Sequence, residues 1–370
     1  MIEIAEGNLL KAPAEALVNT VNTEGVMGKG IALQFSKAYP AMYDAYRAVC
    51  KAGQLHLGEM HVYDLGHLGG ELSGHRFIIN FPTKGHWRES SRLDSIAQGL
   101  KSLVDVVREL NIRSIAVPPL GCGNGGLNWQ DVRPLIEEAF DSLPDVKALV
   151  YPPTGAPAAK DMPSATARPK ITRARAILIK LIDRYIKGLL DPHITLLEVQ
   201  KLMYFMQEAG QPLKLNFVKG TYGPYANNLR FELNRLEGHY LTGFGDGSDN
   251  PLKTLALMDG AVDEAYSKLA RDDAANRRMD RLERLIDGFE DSYGLELLGT
   301  MHWVMVENPE ARKNPEIAVA AVLEWSARKA LMMKPSHLRT AWERLTSEDW
   351  HFDCASLENV PSVGTPRSAY

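Results

Sequence analysis

Three stretches of this 370-residue chain hold residue types and spacings that suit anion and sugar chemistry. The first is Ser114-Ile115-Ala116-Val117-Pro118-Pro119-Leu120-Gly121-Cys122-Gly123-Asn124-Gly125-Gly126-Leu127, an apolar strand pattern running into a loop. Four of the six residues from Gly121 to Gly126 are glycine, and a helix pattern follows from about Trp129. Glycine admits positive φ and lets a ligand lie against the main chain. Amides of such a loop can converge on an anion, aided by the positive end of the next helix. A tight strand-to-helix connection is the plainer alternative.

The second stretch runs from Val18 to Ala32: a strand, a polar bend holding Asn19 and Asn22, then Gly28 and Gly30 opening a helix through Ile31. Two facing glycine loops suit a diphosphate. The asparagines either hold ribose hydroxyls or stabilise the bend through their own backbone. Asn8, after Gly7, is a turn residue or a contact to a nucleotide base. The third stretch, Phe77-Ile78-Ile79-Asn80-Phe81-Pro82-Thr83-Lys84, is a strand ending on a lysine, with Gly85, His86, Trp87 and Arg88 at its tip. That lysine is either a solvated charge or, partly desolvated beside an anion cleft, an amine of lowered pKa. Such an amine can act as a base or as a nucleophile at a sugar C1. Cys122 is a small buried residue or an activated thiol; no histidine flanks it.

These stretches need a scaffold that brings strand ends together. Strand patterns at 2–5, 16–19, 59–64, 75–80, 114–117 and 146–151 alternate with helix patterns up to Tyr39, over 92–110 and over 130–142. Pro40 reads as a helix break. The 92–110 segment carries Ile96, Leu100, Leu103, Val104, Val107 and Leu110 at helical spacing. The pattern predicts an α/β fold, a three-layer α/β/α sandwich with a mixed sheet, whose ligands sit at strand carboxyl ends. Both glycine loops and Lys84 follow strands, so all three are expected at one sheet edge.

Residues 153–170 are rich in Pro, Ala and small polar residues and read as a linker between a first domain at 1–152 and a mainly helical domain at 171–350. In the second, Thr195-Leu196-Leu197-Glu198 is a capping box, and Val199, Leu202, Met203 and Met206 form a core stripe behind it. A strand is expected at 213–218, then a Tyr222–Tyr225 turn leading into a helix, with further helices at 260–274, 276–289, 293–306, 314–330 and 335–346. Residues 351–370 read as a tail.

Apolar content of 45% and charged content of 24% are those of an ordinary soluble protein, and three cysteines, odd in number and far apart, fit a reducing cytoplasm. No apolar run approaches a membrane span, the first residues lack a basic leader, and no membrane partner is expected. Cys50, Cys122 and Cys354 suggest neither disulfides nor zinc, so no metal and no cofactor are expected. Charge is uneven: residues 156–187 carry net +6 and residues 188–370 net −7. The acidic part suits a basic protein partner better than DNA.

The combination of Gly7-Asn8-Leu9, Val18-Asn19-Thr20-Val21-Asn22, Gly28-Lys29-Gly30-Ile31-Ala32 and Pro119 through Leu127 resembles a macrodomain, the family of ADP-ribose-binding α/β/α modules. Phe81-Pro82-Thr83-Lys84 and Leu127-Asn128-Trp129 are similar to its lysine-dependent branch, which includes the terminal ADP-ribose glycohydrolase and the DarG antitoxin family. The resemblance implies binding of ADP-ribose by Asn8, Leu9, Asn19, Asn22, Gly28, Gly30, Ile31 and the run Pro119, Leu120, Gly121, Cys122, Gly123, Asn124, Gly125, Gly126, Leu127. Asn8 would lie near the adenine, Asn22 at the distal ribose, and Lys84 would be catalytic. It further implies removal of ADP-ribose from thymidine bases of single-stranded DNA. More weakly, Tyr222-Gly223-Pro224-Tyr225 and Val199 through Phe205 are similar to an antitoxin domain that would bind a DarT-type toxin directly. Two alternatives stand beside this: a non-catalytic ADP-ribose reader, and a hydrolase of ADP-ribosylated protein. One departure is plain. The terminal ADP-ribose glycohydrolase carries an aspartate where this chain has Gly125, and no acid lies between Pro118 and Trp129. Proton transfer then falls to water, to the lysine or to His86.

Overall fold

The computed structural model describes residues 1–66, 74–155, 157–158, 161–189 and 193–350. The expected tail at 351–370, with Cys354, lies outside the described residues. The chain forms two compact units: Met1–Arg168 with Gly243–Ser248, and Pro169–Thr242 with Asp249–Tyr370.

The first unit is built on a six-stranded sheet. Its strands are β1 (Ile2–Ile4), β2 (Ala16–Asn22), β3 (His61–Asp64), β4 (Phe77–Lys84), β5 (Ser114–Val117) and β6 (Lys147–Val150), in the order β1-β6-β5-β2-β4-β3. Only β3 is antiparallel, paired with β4. The other pairings are parallel, so β1, β6, β5, β2 and β4 all end at one edge. Central strands buried on both faces read as apolar runs rather than alternating ones, and Phe77, Ile78, Ile79 and Phe81 follow that pattern, with the buried Asn80 as the polar interruption.

Helices cover both faces. One core joins Val18, Ile79 and Phe81 to Ile96, Leu100 and Leu103 of α3 (Leu93–Glu109) and to Val132, Ile136 and Phe140 of α4 (Trp129–Asp141). The other joins Leu17, Val21 and Ile78 to Phe35 of α1 (Gly30–Ala38) and to Met42 and Tyr46 of α2 (Pro40–Lys51). Pro40 marks the expected helix break and also opens a second helix that the sequence reading did not include. It occupies the first turn, where its missing N–H costs nothing.

The second unit is mainly helical. The capping box at Thr195 and Glu198 forms at the head of a helix spanning Leu196–Glu208, and Val199, Leu202, Met203 and Met206 are buried. Two expectations are corrected. Tyr222–Tyr225 is not a turn into a helix: Phe217–Gly220 and Gly223–Ala226 pair as an antiparallel hairpin, and the helix starts at Leu229. The helix expected over 314–330 is divided, Pro315–Leu323 and Ala327–Met332, with Ser326 capping the second piece. No helix among the described residues is long and apolar enough to cross a membrane.

Candidate active site

Lys84 is the last residue of β4 and Asn22 the last of β2, and the two are register partners across the parallel pair. The pairing slips between Val21 and Asn22, where the ladder opens into loops. On the far side of β2 lies β5, so the loops after β2, β4 and β5 rise side by side. They are stitched together. Lys84 Nζ donates to the carbonyls of Asn124 at 2.9 Å and Glu89 at 3.1 Å. Ser91 N donates to Gly125 O at 2.9 Å, and Thr23 N to Gly85 O at 3.0 Å. Gly30 approaches the third loop so closely that a methyl group on it would stand 3.0 Å from Asn124 Nδ2. The two glycine loops and the lysine thus meet at one place.

The 121–126 loop folds as its glycines allow. Gly121 and Gly126 take φ of +70° and +78°, where a side chain would be strained. Among the described residues, the amides of Gly121, Gly123, Asn124 and Gly125 donate to no protein acceptor, and those of Gly28 and Ile31 are likewise uncommitted. Such a concentration of unspent donors beside a helix N-terminus is a cradle for phosphate oxygens. Within this unit the Gly30 amide donates to Asp246 O at 2.7 Å.

Lys84 is half-buried. Burial lowers its pKa, opposed by the charge of Glu89. A larger share of neutral amine is therefore available near neutrality than at an exposed lysine. His86 Nδ1 accepts from Arg88 N at 3.1 Å and its ring stacks on Trp87. Burial pushes the Cys122 thiol up to about 11 and its Sγ donates to Leu120 O, so it is a protonated packing residue.

The asparagines divide. Asn22 uses its amide locally: Oδ1 accepts from Glu24 N and Val26 N, and Nδ2 donates to Val26 O at 2.6 Å. Asn19 is fully buried, donating to Asn80 Oδ1 at 2.8 Å and reaching Met27 Sδ of the loop after β2 at 3.8 Å. Asn8 caps a short 3-10 turn, Leu9–Lys11, accepting from Leu10 N. Leu9 and Leu120 are buried, while Pro119 and Leu127 are half-buried.

Two residues of the site escaped the sequence reading. Tyr46 donates its hydroxyl to Asn22 O at 2.5 Å, holding the bend from below. Its signal was the apolar Met42/Tyr46 spacing on the unrecognised α2. Ser91 is 6% exposed and its hydroxyl has no partner. It fills the space beside Gly125, where a methyl group would stand 2.3 Å from Ser91 Oγ and 2.4 Å from Gly121 O. Nothing in a polar loop sequence marks such a serine. Ser91 and the Gly121 carbonyl leave no room for a side chain at position 125.

Fold and cleft define a macrodomain, and the Macro domain family profile matches residues 18–136. A DNA ADP-ribosyl glycohydrolase from Thermus aquaticus is 46% identical over 93% of this chain and 93% of its own length. By that near full-length likeness, the chain belongs to the DNA ADP-ribosyl glycohydrolase family, whose members are hydrolases. A DNA ADP-ribosyl transferase-DNA ADP-ribosyl glycohydrolase fusion protein from Thermosipho africanus is 31% identical over 46% of this chain and 45% of its own. The macrodomain of Mycobacterium tuberculosis DarG is 56% identical, covering 42% of this chain and 99% of that one, with a TM-score of 0.40.

Proposed function

We propose that the chain removes ADP-ribose from thymidine bases of single-stranded DNA by hydrolysing the N-glycosidic bond. The observation that carries this reading is the register of Lys84 with Asn22 beneath loops rich in uncommitted amides. The diphosphate lies on the amides of Gly28, Ile31, Gly121, Gly123, Asn124 and Gly125, replacing the Asp246 carbonyl at Gly30. Asn22 borders the distal ribose, whose C1 faces Lys84. The neutral amine attacks C1, the C1–N bond breaks, and the base leaves and takes up a proton. The C1 glycosylamine so formed opens its ring, O4 taking up a proton, to give an imine; water hydrolyses this imine, returning the amine and releasing ADP-ribose. No carboxylate from the 121–126 loop shares the step, because position 125 has no room for one.

The second unit binds a DarT-type ADP-ribosyltransferase. The fusion of transferase and glycohydrolase in the Thermosipho relative supports a shared pathway, and net −7 over 188–370 suits a basic, DNA-binding partner.

The test is a substrate panel. The full chain is incubated with a thymidine-ADP-ribosylated oligonucleotide and with a carboxylate-ADP-ribosylated protein. Release of ADP-ribose from DNA alone is expected. Release from protein alone overturns the DNA reading, and binding without release from either makes the chain a reader.

A further inference from the structure

The turn that follows Lys84 carries a surface that the chemistry at C1 does not use. Trp87 stands three residues beyond the lysine and is 46% exposed. Of the chain's six tryptophans it alone is exposed rather than half-buried or buried. Its two sequence neighbours lie against its ring. The His86 imidazole stacks on it at 5.4 Å between centroids, and the Arg88 guanidinium carbon stands 4.5 Å from the ring centroid. Among the described residues, the Arg88 guanidinium meets no carboxylate.

The turn is braced on both sides. Thr23 holds Gly85 O through its amide at 3.0 Å and its hydroxyl at 3.1 Å. Glu89 closes the turn, its amide donating to His86 O and its carboxylate accepting from His86 N, both at 3.1 Å. Lys84 Nζ donates to Glu89 O at 3.1 Å, so the turn that presents the indole also seats the amine. Three extended residues span at most roughly 10–11 Å, which caps the distance between the two backbone positions. Stacked nucleotides of one strand lie about 3.4 Å apart, so a neighbour of the modified thymidine falls within that span.

We infer that, on the DNA substrate proposed above, Trp87 and Arg88 hold the strand outside the ADP-ribose cleft. The indole stacks on the nucleobase adjoining the ADP-ribosylated thymidine, and the guanidinium pairs with the phosphate beside it. An aromatic face takes any base and requires only that the base be unstacked, while a neighbouring arginine adds charge for the backbone. Bases within a duplex turn no free face outward, so this pair selects a single strand.

The experiment compares two substrates on the full chain: a thymidine-ADP-ribosylated oligonucleotide and ADP-ribosylated thymidine as the free nucleoside. The parent should show the lower KM for the oligonucleotide. Trp87→Ala should raise that KM by about tenfold, the worth of one base stacked on an aromatic ring, with kcat unchanged. The nucleoside KM should stay as it is, which also shows that the variant is folded, and Trp87→Phe should restore the oligonucleotide KM. Abasic nucleotides on either side of the modified thymidine should cost the parent the same factor. Arg88→Gln should flatten the log–log salt dependence of the oligonucleotide KM by about 0.7, one phosphate contact on a single strand. Equal losses on both substrates place the indole against the thymine or the cleft, and no loss on either leaves it a solvated ring. Either result, or a parent that does not favour the oligonucleotide, overturns the inference while the DNA activity stands. A parent that releases ADP-ribose from neither substrate removes the DNA reading itself.

Discussion

Gly125→Ala is the smallest perturbation that tests how the glycine loop is built. Its added methyl group would stand 2.3 Å from Ser91 Oγ and 2.4 Å from Gly121 O, against ordinary contacts of about 3.5–4.0 Å. The serine can rotate, but the Gly121 carbonyl is fixed by accepting from Leu127 N at 3.1 Å. The loop must therefore shift by roughly 1 Å, and overpacking of that kind costs about 1–3 kcal/mol. Taken up as global instability, the cost appears in urea unfolding. Taken up within the loop, it displaces the amides and breaks the link from Lys84 to Asn124, weakening ADP-ribose binding by about tenfold for each 1.4 kcal/mol. Calorimetry and unfolding on the same preparation apportion the two. Gly125→Asp should be worse in both. Parental affinity together with parental stability in Gly125→Ala would show that the loop does not pack against Ser91 and Gly121 as described.

Three further substitutions probe separate parts of the structure. Cys122→Ala should leave the rate of ADP-ribose release within about twofold of the parent, since a thiol with a pKa near 11 is protonated at neutral pH; a large loss would restore it as a reactive group. Tyr46→Phe removes the donor to Asn22 O and should cost about 1–2 kcal/mol in urea unfolding, which an unchanged midpoint would refute. In the second unit, Lys201 is buried with its ammonium donating to Pro224 O at 2.9 Å, and burial lowers its pKa to about 7. Between that value and the unfolded value of about 10.4 the unfolded chain holds a proton that the folded chain does not. Stability should therefore rise with pH across this window. Below about pH 7 the burial penalty is fully present. Lys201→Met should flatten the rise, and an unaltered slope would contradict the burial of a charge there.

Much of the first unit was legible because its signals are local. The strand before Lys84 and both glycine loops are contiguous in sequence, and a parallel sheet carries such loops to one edge without further information. What was missed depended on partners remote in sequence. Pro40 serves equally to stop one helix and to start the next, and only the packing of Met42 and Tyr46 against the sheet decides between them. Asn19 reads from the sequence equally as a loop-facing or a core asparagine, and its bond to Asn80, sixty-one residues away, has no local signal. The Tyr222–Tyr225 segment reads as a turn from its Gly-Pro pair, yet from Gly223 it runs on to Ala226 as a strand paired with Phe217–Gly220. Ser91 lies in a polar stretch where composition says nothing of what it faces.

The most direct measurement is single-turnover release of ADP-ribose from a modified oligonucleotide by Lys84→Ala and Lys84→Arg, with binding followed separately. The arginine keeps a charge to bridge Glu89 and Asn124 but stays protonated and cannot attack. Both variants should still bind the oligonucleotide while release falls by at least about a thousandfold. The parent rate should climb with pH and level off below the usual lysine range, following the lowered pKa of Lys84. Release at the parental rate by either variant would show that the amine at the end of β4 is not the group that breaks the bond.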